Sequence, residues 1–411
     1  MAAPAVSPAE ASSSRMSPAL VVLVLALLLG IQPVTTDLYL PALPTLTAAL
    51  GARMGQAQLT LSALLLAFGC AQLVLGPLSD RFGRRPVLLW GLAAYVLASI
   101  GGVVAGSIEL LILWRTLQGA AMGAAVMAAR AIVRDLYQPA DGARVMSRAL
   151  TGLGLIACLC APVGGLLADL FDWRVALAMP GLFGAITLGL VALRFDESLA
   201  RRNPDALRPG TLLSTWAMVL RHPTFLAFAA LTTAAYGLLF TFLASSSFVF
   251  IQVLGLSRTQ YGLVMLWSSL SYIVGTFVCR RWLPRFGVRG SIARAAALTL
   301  AGGTAMGVLA LAGVHAAWAI VGPLTLIMLA HGVHQPCGQT GAVGPFPQAA
   351  GAASAINGFV MMLAAFGIGA WLGTRMDGTV LPLALGMWFW SVCLALIAWT
   401  LVRRHGDTHG H

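Results

Sequence analysis

The 411 residues are 59% hydrophobic, and 25 bases with 13 acids leave only 9% charged side chains, against about 25% in an ordinary soluble domain. A soluble globular fold is excluded: apolar runs of about 20 residues, each able to carry an α-helix across a hydrocarbon core of roughly 30 Å, specify a polytopic helical membrane protein. The runs do not alternate polar and apolar residues, which excludes an outer-membrane barrel, and every base is arginine, so a GxxxxGK[ST] loop for ATP and a Schiff-base lysine are both excluded.

Residues 1–17, rich in Ala, Ser and Pro, read as a disordered tail. Apolar runs follow near 19–43, 57–78, 86–106, 109–133, 146–168 and 173–194. After a polar stretch they resume near 223–250, 259–279, 291–312, 316–340, 352–372 and 381–402. The expected fold is all-α, with twelve transmembrane helices in two pseudo-symmetric six-helix bundles, 18–194 and 223–402. A linker, 195–222, joins them, and a tail, 403–411, follows. The first run is not a secretory signal, because it continues through Asp37 to Pro44 without a small-residue cleavage pattern.

Placing both termini in the cytoplasm puts 19 arginines in cytoplasmic segments and four (Arg53, Arg174, Arg258, Arg375) on the other side. These arginines form topology clusters and no basic domain, so nucleic acid is not an expected partner. The six cysteines (Cys70, Cys158, Cys160, Cys279, Cys337, Cys393) lack metal-ligand spacing and read as free thiols.

Arg81-Phe82-Gly83 follows the second run, and Arg285-Phe286-Gly287 follows the eighth, 204 residues later. That offset suggests a duplicated bundle, the construction of many secondary transporters, with a substrate site between the halves. The full loop after the second run is Gly76-Pro77-Leu78-Ser79-Asp80-Arg81-Phe82-Gly83-Arg84-Arg85-Pro86. Its arginines suit a helix C-terminus, whereas Asp80 there is unfavourable without a partner. The loop resembles the G-x-L-[AS]-D-R-x-G-R-[KR] signature of the major facilitator superfamily. That resemblance implies a conformational latch of Gly76, Asp80, Arg81, Gly83 and Arg84 with Asp135 and the start of the eleventh helix, holding the cytoplasmic side shut in one state.

Asp37 is the only acid well inside an apolar run, and a carboxylate there costs roughly 2.5–3.5 kcal/mol on insertion scales. Its surroundings, Asp37-Leu38-Tyr39-Leu40-Pro41-Ala42-Leu43-Pro44, resemble the first helix of the bicyclomycin and chloramphenicol resistance (Bcr/CflA) subfamily of drug:proton antiporters. In the fourth run, Arg115-Thr116-Leu117-Gln118-Gly119 resembles the superfamily's R-x-x-Q-G element, associated with proton transfer. Asp37 and Arg115 both sit at a depth of about 9 Å, so a salt bridge or a water-linked pair between them is expected. Movement of the two helices would then alternately favour and disfavour a proton on Asp37. The alternative is a static pair that fixes packing.

Ala161-Pro162-Val163-Gly164-Gly165-Leu166 in the fifth run resembles the antiporter element G-P-x-x-G-G at Pro162 and Gly165, but departs from it at Ala161 and Leu166. Helix packing through small residues explains it as well. His331 and His334 share a helix face without further ligands for a metal. With Gln335 and Gln339 they read as polar cavity lining or auxiliary proton sites. By resemblance, helices one, four, seven and ten line the cavity, which nominates Tyr39, Gln118, Tyr236, Phe240, His331 and Gln335. Such a set suits amphipathic organic substrates. His405, His409 and His411 read as a solvated tail.

The expected activity is proton-coupled efflux of drug-like small molecules across a bacterial inner membrane by alternating access. It would involve substrate, protons and the lipid bilayer, with no cofactor, no metal and no ATP. The alternative is an exporter of one native metabolite, such as a sugar, an amino-acid derivative or a siderophore. An intramembrane enzyme is not expected, since HExxH, GxSxG and lysine are all missing from the sequence. A non-transporting sensor would not need both Asp37 and Arg115.

Overall fold

The computed structural model of the protein describes residues 16–200 and 202–406. Residues 1–15, Arg201 and residues 407–411, with the tail reading of His409 and His411, lie outside the described residues. No strand occurs among the described residues. Among the described residues, eleven helical stretches are long and apolar enough to cross a bilayer. One of these, Arg258–Leu311, runs 54 residues, about 80 Å of helix against a hydrocarbon core of about 30 Å.

Gly287 divides that stretch, with φ 65° and ψ −179°, a backbone that glycine adopts without a Cβ penalty. Both legs then pack on the same neighbour, Ala317–Val343: Gly275 lies against Leu329, and Gly302 against Pro323 and Ile327. The stretch is therefore the eighth and ninth spans, giving twelve in all. The loop expected between 279 and 291 reduces to a single glycine.

The remaining spans are Pro18–Ala49, Met54–Phe82, Arg84–Val103, Ile108–Leu136, Arg144–Leu170, Trp173–Arg194, Pro223–Val253, Pro347–Arg375 and Leu381–His405. Ser17, placed in the tail by sequence, caps the first helix by accepting from the Leu20 amide at 3.3 Å, and Met16 is buried. The linker 195–222 contains a 12-residue helix, Pro209–Leu220, started by a proline whose missing N–H costs nothing at that position. All six cysteines are free thiols, with Cys279 and Cys337 placing their sulfurs 3.7 Å apart.

The first span is not one helix. It comprises the α-helix Pro18–Thr36, a 3-10 turn Leu40–Ala42 and a second helix Leu43–Ala49. Pro41 has no N–H and its ring crowds the carbonyl four residues back, which disfavours a continuous helix, and the α-helix ends at Thr36. The last carbonyls of the first helix are thereby left without helical donors.

Glycines bring backbones together at the centre of the first bundle. A Cβ at Gly119 would meet the Leu64 carbonyl, and one at Gly164 the Leu38 carbonyl inside the broken segment. Small residues of this kind permit close helix packing in lipid. The two bundles meet along the second and eleventh spans, through Gly55 with Gly373 and Gly69 with Met362, and along the fifth and eighth, through Pro162 with Gly262.

Candidate functional site

Breaking the first span creates the site. The Thr35 carbonyl, which a continuous helix would occupy with the amide four residues on, instead accepts from Arg115 Nη2 at 2.9 Å. Arg115 Nη1 donates to Gln118 Oε1 at 2.7 Å, and Nε reaches the Thr60 carbonyl at 3.5 Å. The guanidinium lies over the Tyr39 ring, 4.3 Å from its centroid. Arg115 is only 1% exposed; it acts as a cation against the partial negative end of the first helix, a favourable place for it.

The network continues outward. Gln118 Nε2 donates to Ser99 Oγ at 2.7 Å, Ser99 Oγ donates to the Tyr95 carbonyl at 2.7 Å, and the Tyr95 and Thr35 hydroxyls are 2.6 Å apart. The Tyr39 and Thr60 hydroxyls are 2.7 Å apart. The second, third and fourth spans are thus tied to the point where the first one breaks.

Asp37 caps the C-terminus of Pro18–Thr36, its amide donating to the Pro33 carbonyl at 2.8 Å. Its Oδ1 accepts from the Thr36 hydroxyl at 2.7 Å. Of the two pairings expected, the direct salt bridge with Arg115 is not formed. The guanidinium is directed at the Thr35 carbonyl and Gln118, because the helix break leaves that carbonyl unbonded and a planar fork can hold both acceptors at once. The 3-10 turn Leu40–Ala42 that follows Asp37 packs against the fifth span of its own bundle and against the seventh and eighth spans of the second. The break therefore borders both bundles.

At the arginine-rich end, Arg84 Nη2 pairs with Asp80 Oδ1 at 2.6 Å and Nε with Asp135 Oδ2 at 2.9 Å, while Nη1 donates to Ser79 Oγ. Gly83 makes the turn at φ 110°. Arg81 points away, its guanidinium 5.6 Å from the Phe82 ring, and Gly76 has open space where a Cβ would be. These contacts stay within the first bundle, and the expected link from Asp80 to the start of the eleventh helix is replaced by another. Arg130 Nη1 donates to Ser354 Oγ at 2.8 Å, since Asp80 is already taken by Arg84 one turn away.

Sequence reasoning missed the linker's part in this latch. Glu197 accepts the amides of Arg84 at 2.9 Å and Arg85 at 3.2 Å, capping the third span, and Ser198 donates to Asp135 at 3.3 Å. The one sequence signal was an acid pair, Asp196-Glu197, close behind the sixth span.

At the opposite end a second cross-bundle cluster also went unread. Arg258 Nη1 donates to the Ala168 carbonyl at 2.8 Å and to Asp169 at 3.2 Å, and Nη2 donates to Thr45 at 2.7 Å. Asp169 accepts from the Thr259 amide at 2.9 Å and hydroxyl at 2.6 Å. Gly165 and Pro162 pack against Arg258 and Gly262, so these small residues let the fifth and eighth spans close at this end.

Among the nominated cavity residues, Tyr39, Gln118, Tyr236, Phe240 and His331 are buried, so the centre is closed off in this conformation. Tyr236 and Phe240 stack at 6.4 Å, and His331 contacts Tyr272 at 5.7 Å. His334 does not face the centre; its Nε2 meets Thr299 of the ninth span at 3.2 Å, inside the second bundle. Gln335 Oε1 and Gln58 Oε1 are buried acceptors without a partner among the described residues.

The sequence profile of the Major Facilitator Superfamily matches residues 25–370. Multidrug resistance protein D of Escherichia coli K12 is 28% identical over 337 residues, covering 82% of this chain and 84% of its own. A chloramphenicol resistance protein of Pseudomonas aeruginosa is 28% identical over 321 residues, 78% of this chain and 75% of its own. The crystal structure of a D-xylose-proton symporter superposes with a TM-score of 0.71 at 15% identity, covering 95% of this chain and 99% of that one.

Proposed function

The chain belongs to the major facilitator superfamily, and from that membership we propose that it exports drug-like small organic molecules in exchange for protons, across a bacterial inner membrane with both termini in the cytoplasm. It is a multi-pass membrane transporter and not an enzyme. The observation that supports the finer reading is Asp37, a carboxylate at a helix break within the membrane, beside a turn that touches spans of both bundles. The names of the drug-resistance relatives support the substrate class.

In this reading Asp37 and Arg115 couple protons to transport without a direct ion pair. Arg115 holds the break open as a rigid frame, and Asp37 binds and releases the proton as the second bundle moves over it. One charge crossing 100 mV supplies about 2.3 kcal/mol, enough for a gradient of roughly 50-fold in a neutral substrate. Tyr39, Gln118, Tyr236, Phe240, His331 and Gln335 form the substrate surface when the centre opens.

The test is a resistance profile of cells expressing the chain against phenicols, bicyclomycin, sulfonamides and cationic dyes. Protection against several unrelated compounds is the expected result. Protection against none, with a single metabolite exported instead, would overturn the drug reading.

Three further outcomes are expected. Arg84→Gln should lower thermal stability in detergent by about 1–2 kcal/mol, since it leaves the half-buried Asp135 with only the Ser198 hydroxyl, and should slow transport at normal membrane abundance. Asp80→Asn should cost less, because Asp80 is 44% exposed and water replaces part of the pair. Asp169→Asn should loosen the end opposite the arginine-rich loops. Ser246, buried on the seventh span with its hydroxyl 2.8 Å from that of Tyr261, is the reporter: as Ser246→Cys in a cysteine-free background it should then react with an impermeant maleimide about fivefold faster, the change that about 1 kcal/mol produces. An unchanged labelling rate would dismiss Asp169 as a gate.

A further inference from the structure

The two bundles treat their equivalent loops differently. In the first, Arg84 is held by two carboxylates, Arg85 donates to the carbonyls of Phe195 and Ala192, and Glu197 covers the neighbouring amides. At the offset of 204 residues, Pro284 replaces Asp80 and Val288 replaces Arg84. No acid at all occurs between Asp205 and Asp377, yet arginines stand at 280, 281, 285, 289 and 294.

Arg280, Arg281, Arg285 and Arg294 are exposed, and none of them forms an ion pair among the described residues. They are not scattered. Arg285 and Arg294 both lie over the Phe286 ring, at 5.5 and 3.6 Å, and Arg280 lies 5.2 Å from Phe277. Trp399 Nε1 donates to the Ala293 carbonyl at 3.1 Å, which brings the end of the last span, with exposed Arg403 and Arg404, beside the same turn. Guanidinium groups gathered around one ring repel each other unless an anion lies between them. Orientation in the membrane explains why arginines occur at this end, but not the convergence of Arg285 and Arg294 on one ring with no carboxylate partner among the described residues.

We infer that the turn at Gly287, with the end of the twelfth span, binds the phosphodiester headgroup of an anionic lipid in the adjoining leaflet. The planar fork of arginine matches two phosphate oxygens at once. The exposed Phe277 ring continues from the arginines onto the outer surface of the eighth span, where an acyl chain would lie. A free phosphate ion offers the same oxygens but no chains. The bound lipid neutralises the arginines and ties the eighth and ninth spans to the twelfth.

The full chain, purified in mild detergent, can be mixed with equal amounts of phosphatidylglycerol and phosphatidylethanolamine and read by native mass spectrometry. Preferential retention of phosphatidylglycerol by about tenfold is expected from its net charge. The double variant Arg285→Lys/Arg294→Lys keeps the charge and hence the topology but loses the forks, and should retain several-fold less. A parallel arm adds inorganic phosphate at millimolar concentration, which should not displace the lipid. Equal retention of both lipids, full retention by the lysine variant, or displacement by inorganic phosphate would each overturn the inference. The last of these would assign the site to a soluble phosphate instead.

Discussion

Asp37→Asn is expected to fold, insert and bind substrate, and to lose substrate-driven proton movement by at least about tenfold, equivalent to about 1.4 kcal/mol of lost coupling. The amide oxygen of asparagine still accepts from the Thr36 hydroxyl, which holds the present side chain at 2.7 Å, so the local geometry survives. What disappears is a group that can change charge. The measurement is proton release into a pH-sensitive dye on substrate addition to inverted membrane vesicles. Release of wild-type size from the asparagine variant would remove Asp37 from the coupling scheme, leaving the fold and the family untouched.

Arg115→Leu is expected to be more damaging still, because it strikes both stability and transport. It leaves the Thr35 carbonyl and Gln118 Oε1, which now accept at 2.9 and 2.7 Å, without donors in a dry interior. Each orphan costs about 1–3 kcal/mol. Arg115→Lys should not rescue transport, since a single ammonium cannot serve a carbonyl on the first span and an amide on its own helix in the fork geometry. Thermal unfolding in detergent and transport in vesicles read the two effects separately. Full activity in the lysine variant would show that charge alone suffices and that the fork has no part.

The latch shows how far sequence patterns reach. Asp80 in a place hostile to a carboxylate pointed to an arginine partner, and the structure supplies Arg84, with Asp135 as the third member. Glu197 and Ser198 were illegible because their partners lie more than sixty residues away in the chain, and no local pattern encodes such a contact. Arg258 was legible only as one of four arginines on the sparse side. Its grip on Ala168, Asp169 and Thr45 depends on how the two bundles dock. His331 and His334 share a face by spacing, yet packing against different spans separates them.

By itself the sequence determined that the chain spans a membrane in two sets of six helices and which end carries the positive charge; the break in the first span came only with the structure. The first two follow from run length and from arginine position, both of them properties of contiguous residues. Only the tertiary structure decided that Arg115 serves the carbonyl freed by that break and not Asp37 directly. Two groups at the same depth are within reach of each other, but a guanidinium with fixed donor directions bonds wherever an unbonded acceptor lies in its plane. The orphan carbonyl exists only once the chain has folded.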